Sequence, residues 1–347
     1  MSSSIIDKRE VFSIRSTLTL IFWLLFSVTL QGQTPPEPYE VIRTETDLTN
    51  VLLTATDKQN RLITTLREEN VRVLEDGVLQ KLFTFQRETD RPLSIAFLID
   101  VSASEERTLP DEKAAARAFI ETIIRSGKDQ AAIIAFTDHA FLEQPLTSNV
   151  INIYQALERV DVALPSYPGA GLPIGGIASG PGRAEPREGT TAIWDAITVS
   201  AAEILARAPG ARRRAIILLT DGQDTSSRLS RREAIDRALE AETVIYVIGI
   251  GDDKFDGVHK DGLNVVAERT GGRAFFPKKH GDLRSAFAEV EQELRSQYLI
   301  AYSSTNKNRD GAFRQTHIEI TSPDLIKQQL KLRYRPGYFA KPLDTPR

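Results

Sequence analysis

The chain has 347 residues, with 44 Lys and Arg against 47 Asp and Glu and a formal net charge of −3, too even a balance to support a general attraction to nucleic acid or to an anionic membrane. A hydrophobic fraction of 41% and a charged fraction of 26% exclude a disordered chain. Zero cysteines exclude disulfides, thiolate metal sites, cysteine nucleophiles and lipid attachment through cysteine, and the four histidines (His139, His259, His280, His317) form no HExxH pair, so a metal here is expected to be hard and oxygen-bound.

Lys8, Arg9 and Arg15 precede an uncharged run with its apolar centre at Leu18–Leu30. Its thirteen residues span about 20 Å as a helix, short of the ~30 Å hydrocarbon core. Residues 1–33 therefore read as a secretory signal, with an uncleaved N-terminal anchor as the alternative. Either exports the remainder, and an exported chain without cysteine points to a bacterial envelope or secreted protein, periplasmic or extracellular.

A Pro-rich linker over 34–40 follows. Residues 41–91 read as a small β module: VLLTATD alternates, Asp57–Asn60 is a turn cluster, and Asp76-Gly77 sits between two alternating runs, the strongest hairpin signal in the chain. About fifty residues of hairpins need another surface to pack against.

From Leu93 the rhythm changes. LSIAFLID (Leu93–Asp100), QAAIIAF (Gln130–Phe136), AIILLT (Ala215–Thr220) and TVIYVIGI (Thr243–Ile250) are continuous apolar runs, as expected of strands buried on both faces. Between and after them lie helical patterns at Asp111–Ser126, Asn149–Val160, Ala192–Ala206, Ser230–Ala241 (opened by a Ser230/Glu233 capping box), Leu263–Thr270 and Asp282–Ser296. Short strands are expected at Ala140–Pro145 and Arg273–Phe276. Strands alternating with helices over residues 92–296 imply an α/β fold with a doubly wound, mostly parallel sheet. Residues 164–189, rich in Pro and Gly and without periodicity, form a long loop. Residues 297–347 return to β pattern in QYLIAYSS, THIEITS and LKLRYRPGYF. They are expected to complete the N-terminal module, since neither end is large enough to hold a core alone.

The first buried strand ends in Asp100-Val101-Ser102-Ala103-Ser104, a D-x-S-x-S pattern. In extended backbone, positions i, i+2 and i+4 point one way, so a carboxylate and two hydroxyls converge at the carboxyl end of a parallel strand, where open α/β sheets place their ligands. Asp221, in LLTDGQD, lies at the same end of another strand, and Thr190-Thr191 opens a helix after Gly189. Oxygen donors alone suit Mg²⁺ or Mn²⁺.

D-x-S-x-S after an apolar strand, GTTAIWDA at a helix start and an apolar-TDG segment after a later strand resemble the von Willebrand factor type A (VWA) domain and the segments of its metal-ion-dependent adhesion site (MIDAS). The resemblance continues through YVIGIGDD, AERTGGRAFF and ELRSQYLIAY. The flanks NVRVLEDGVLQKLFTF and RYRPGYF are similar to those of the bacterial exported VWFA-related family. The resemblance implies a metal site of Asp100, Ser102, Ser104, Thr191 and Asp221; Glu105, Thr190 and Asp224 are candidates for an outer shell around it. It further implies a protein partner that presents a Glu or Asp to the ion. Ala103 departs from the frequent Gly, and Glu105 places a charge where an apolar residue is frequent, leaving the ligand type open.

Other features read more plainly. Asp195 is a helix-surface acid, Asp224 a solvated loop acid unless it joins the site, Asp138-His139 a hairpin tip, and Trp194 a core residue. The Arg212–Arg214 run and Lys278-Lys279 read as solvated charge. GIGDD lacks the third glycine and helix start of a dinucleotide fingerprint, and no P-loop or G-x-S-x-G elbow occurs. The expectation is a binding protein without catalysis or a small-molecule substrate. Its alternative is a structural subunit of an envelope assembly in which metal binding is incidental.

Overall fold

The computed structural model describes residues 48–88, 90–162, 172–174, 190–210, 212–220, 223–250, 257–278 and 280–342, without the side chains of residues 103, 104, 257–259, 280 and 281. The expected signal, the linker, Asp221 and most of the 164–189 loop lie outside the described residues.

In chain order, β1 (Leu48–Thr56), β2 (Val71–Glu75), β3 (Val78–Gln80) and β4 (Leu82–Arg87) precede β5 (Leu93–Asp100), α1 (Leu109–Ile123), β6 (Gln130–Phe136), β7 (Ala140–Thr147), α2 (Val150–Arg159) and β8 (Leu172–Ile174). Next come α3 (Ile193–Val199), continued by a π-helical turn over Ser200–Leu205, then β9 (Arg213–Thr220), α4 (Arg231–Glu240), β10 (Thr243–Gly249), α5 (Gly257–Thr270), β11 (Ala274–Phe275) and α6 (His280–Arg295). The chain closes with β12 (Tyr298–Ser303), β13 (Phe313–Ile320), α7 (Pro323–Lys327), β14 (Lys331–Arg333) and β15 (Gly337–Phe339).

The central sheet has the order β11-β10-β9-β5-β6-β7-β8. Pairing is parallel from β11 to β6 and antiparallel for β7 and β8. All eight residues of β5 and all seven of β10 are buried, because helices cover both faces. Along β5, Leu93, Ile95, Phe97 and Ile99 pack with α1, α2 and α6, whereas Ala96 and Leu98 pack with α3, α4 and α5. Each such fully buried side chain contributes about 1.5–3 kcal/mol. The sheet thus has the doubly wound, mostly parallel form expected from the sequence. β8 is the difference: a short strand inside the expected loop, paired with Ala140–Leu142 of β7.

The chain ends share two further sheets, ordered β14-β1-β12-β4 and β15-β13-β2-β3. Val51, Leu53, Val71, Val73, Tyr298, Ile300, Tyr302 and Ile318 form their common core, so the C-terminal strands do complete the N-terminal module. The Tyr298 hydroxyl fastens the two ends: it donates to the Ile63 carbonyl (3.1 Å) and accepts from the Leu66 amide (3.0 Å). Asp76 and Gly77, at φ 48° and 82°, make the two-residue turn between β2 and β3, with Glu75 paired to Val78. Positive φ at both positions matches strand twist, which is why Asp-Gly specifies this hairpin.

Candidate functional site

β5 lies at the point where strand order reverses: the chain leaves it through α1 to β6 on one side, and β9 continues through α4 to β10 on the other. Ligands of open α/β sheets bind outside the carboxyl ends of the strands flanking such a point. Here those ends are Asp100 and Thr220, and the parallel register sets Ile99 against Leu219 immediately before them.

Side-chain parity decides which way these residues face. Asp100 continues the series Ala96–Leu98 and Thr220 the series Ile216–Leu218, and both series belong to the face covered by α3. Asp100 is fully buried. Its Oδ2 accepts the Thr220 hydroxyl at 2.7 Å and its Oδ1 the Ser102 amide at 3.0 Å. These bonds fix the carboxylate's direction and offset part of its desolvation. Thr220 is a residue that sequence reasoning missed. The only available signal was its place as the last residue of a buried strand beside the expected site.

The extended backbone ends at Ser102 (φ −61°, ψ 158°), and a 3₁₀ turn over Ala103–Arg107 follows. Ser104 therefore sits in a turn and not two residues further along a strand, which corrects the extended geometry expected for the last Ser of the pattern. The ladder stops because β6 also ends there: the Val101 amide makes its bond to the Phe136 carbonyl (3.0 Å), and the Glu105 amide then turns back to the Ser102 carbonyl (3.0 Å). Glu105 is buried in this turn and accepts the Thr108 hydroxyl.

Thr191 is joined to the same rim through backbone bonds. The Ala192 amide donates to the Thr137 carbonyl (2.7 Å), and the Thr191 carbonyl accepts from the amides of Thr225 (2.8 Å) and Ser226 (3.1 Å). The Thr191 amide donates to the Thr225 hydroxyl at 2.8 Å. The loops after β6 and β9 and the start of α3 are thereby laced together, and the Val101–Phe136 bond ties the end of β5 to the end of β6. Thr191 is buried and Thr190 half-buried.

Two acids take roles that composition hid. Asp224 is half-buried, and its Oδ1 accepts the Ile193 amide (2.8 Å), the Trp194 amide (3.4 Å) and the Ser227 hydroxyl. It caps α3 from a different loop, where Ala192 at the N-cap position offers no side-chain acceptor. Burial pushes the Asp224 carboxyl above its ordinary range, against the pull of those donors. Asp195 accepts from the amides of Leu229 (2.9 Å) and Arg228 (3.1 Å), holding the β9–α4 loop against the helix. Neither is simply a solvated acid. Asp138 and His139 do lie at the β6–β7 hairpin tip, and Trp194 packs partly buried against the core on the α3 face.

The donor set fits a hard divalent ion in kind: a buried carboxylate, with hydroxyls on the neighbouring loop and helix start. Among the described residues, no cluster of three or more His, Cys, Asp or Glu is placed to hold a metal. The expected set contains only two such residues, one of them Asp221.

Two family models, each described as the von Willebrand factor type A domain, match residues 95–223 and 183–289. No curated protein matches the chain in sequence. Among solved structures, the mussel byssus protein proximal thread matrix protein 1, in a form with a zinc-occupied MIDAS motif, is similar at 20% identity with a TM-score of 0.48. That match covers 62% of this chain and 49% of the mussel protein, so the chain spans about half of the mussel protein's length. BatB from Bacteroides thetaiotaomicron is similar at 18% identity and TM-score 0.44, covering 59% of this chain and 100% of that one.

Proposed function

Because this chain carries a von Willebrand factor type A domain, a protein-interaction domain, we propose that it is an exported binding protein. It captures a protein partner through a divalent cation, Mg²⁺ or Mn²⁺, held by Asp100, Ser102, Ser104, Thr191 and Asp221. The partner contributes an acidic side chain to the ion. Export rests on the basic and apolar segment before residue 34.

The observation that carries this reading is the placement of Asp100. It is a fully buried carboxylate at the reversal point of the sheet, directed by Thr220 and the Ser102 amide onto the face where α3 begins. A bound ion would supply a positive centre on which an incoming carboxylate completes the coordination. The chain's own part is to hold oxygens in place through the laced loops and to keep the ion's inner side dry. Asp224 and Asp195 are engaged with backbone amides at the α3 start and the β9–α4 loop.

A calorimetric titration of Mg²⁺ and Mn²⁺ into the wild-type chain and Asp100→Ala tests the reading. Saturable one-site binding that the substitution removes is the expected result. Equal heats from both proteins, or none from either, would overturn it.

A further inference from the structure

The Arg212–Arg214 run, which reads as solvated charge in the sequence, is not solvated charge in the fold. Arg213 is 3% exposed, and the run stands at the amino end of β9. That is the opposite pole of the sheet from Thr220, roughly 23 Å away at about 3.3 Å per residue. The three guanidiniums are held by carbonyls: Arg212 donates to Pro209 (3.1 Å) and Lys128 (2.6 Å), Arg213 to Leu294 and Arg91, and Arg214 to Ala241 (3.1 Å). None of the three has an ion-pair partner among the described residues, and the Nε atoms of Arg213 and Arg214 are buried without a hydrogen-bond partner. Burial pulls the Arg213 guanidinium down to about 10, with the nearest acids offsetting only part of the cost.

Two neighbouring cavities open on this run where the α/β layer meets the terminal β strands. The smaller, about 50 Å³, is walled by Arg91, Arg212 and Arg213. The larger, about 370 Å³, is walled by Arg214, Lys307 and Lys341. They share Asn50, Leu239, Glu242 and Arg335. Glu242 already faces Arg335 at 3.4 Å, and the other acid of the larger cavity, Glu240, is taken by Arg237 at 2.8 Å. Among the described residues no acid stands within ion-pair distance of Arg214, Lys307 or Lys341, so these three present positive charge to the cleft. Guanidinium forks match the planar, paired oxygens of carboxylate and phosphate, and the larger volume is in the range of a small-ligand site.

We propose that this cleft is an anion site, separate from the metal-binding loops, which takes a small multiply charged oxyanion bearing phosphate or carboxylate groups. Arg214 is its principal contact, and Lys307 and Lys341 complete its rim. The site exists only in the assembled fold, since β9, the β1 start and the β12–β13 connection each contribute a wall. A ligand there would bridge the two parts of the protein.

The test is calorimetry on the full-length chain in low-salt buffer freed of divalent ions by passage over a chelating resin, using pyrophosphate and citrate as probes. Saturable binding of either probe is expected, and which one binds distinguishes the phosphate source from the carboxylate source. Arg214→Gln should weaken it about tenfold or more, the usual loss for a hydrogen bond to a charged group. Asp100→Ala should leave it unchanged. Lys307→Gln/Lys341→Gln alters only exposed side chains and should weaken binding even if Arg214→Gln proves poorly folded. The proposal is overturned if neither probe binds at millimolar concentration, if the rim and Arg214 variants bind as wild type, or if Asp100→Ala abolishes the signal.

Discussion

Thr220→Val removes one hydroxyl while keeping the shape of the side chain. In the wild type that hydroxyl donates to Asp100 Oδ2 at 2.7 Å, and both residues are fully buried. Valine leaves no cavity, so the loss is polar: one oxygen of a buried carboxylate loses a donor while the Ser102 amide still serves the other. A hydrogen bond to a charged group contributes about 1.5–3 kcal/mol. With roughly 2–4 °C per kcal/mol for a domain of this size, a 2 kcal/mol loss lowers Tm by about 4–8 °C in EDTA. The same bond orients the proposed ligand, and removing an outer partner of a metal ligand typically weakens metal affinity about 10–100-fold. Thermal denaturation in EDTA and a Mg²⁺ titration read the two effects separately, and Thr220→Ser, which restores the hydroxyl, should recover both. A Thr220→Val protein with unchanged Tm and unchanged Mg²⁺ affinity would refute the claim that this bond sets the carboxylate.

Two further predictions concern how the parts hold together. Tyr298→Phe strands the Leu66 amide and the Ile63 carbonyl inside the terminal β module, so it should cost about 1–3 kcal/mol in urea unfolding. A loss below about 0.5 kcal/mol would mean the two chain ends are not fastened there. Burial pushes the Asp129 carboxyl up, but the Arg125 guanidinium and the amides of Leu93 (2.8 Å) and Arg125 (3.0 Å) outweigh it and leave the group below its ordinary value. A depressed carboxyl stabilises the fold above its unfolded-state value near 3.9 and loses that contribution as pH falls through the folded-state value. Unfolding free energy should therefore fall on acidification below about pH 4, and Asp129→Asn should flatten that limb. An identical acid limb in both proteins would assign the loss to other groups.

The sequence by itself determined the layer architecture. Four runs of β-branched and aliphatic residues with no polar alternation require cover on both faces, and the helical periods between them supply it, so the parallel sheet follows from burial alone. Asp76-Gly77 fixed its hairpin for an equally local reason, the positive φ at two successive residues. The loops proposed for the metal site were likewise picked out in the sequence, because Asp, Ser and Thr at the carboxyl ends of buried strands stand out against apolar neighbours. What the sequence left undecided were relations between residues far apart in the chain. Thr220 looked like the end of a strand until the register set it beside Asp100. Asp224 and Asp195 looked like loop acids until the β9–α4 loop folded over α3 and gave them amides to hold. Arg212–Arg214 looked like solvated charge, and only the approach of β1 and the C-terminal strands shut it into a cleft. Local pattern records the preference of a segment for its own conformation, whereas hydrogen bonds and charge compensation depend on which distant segment arrives beside it, and that was decided by the tertiary structure.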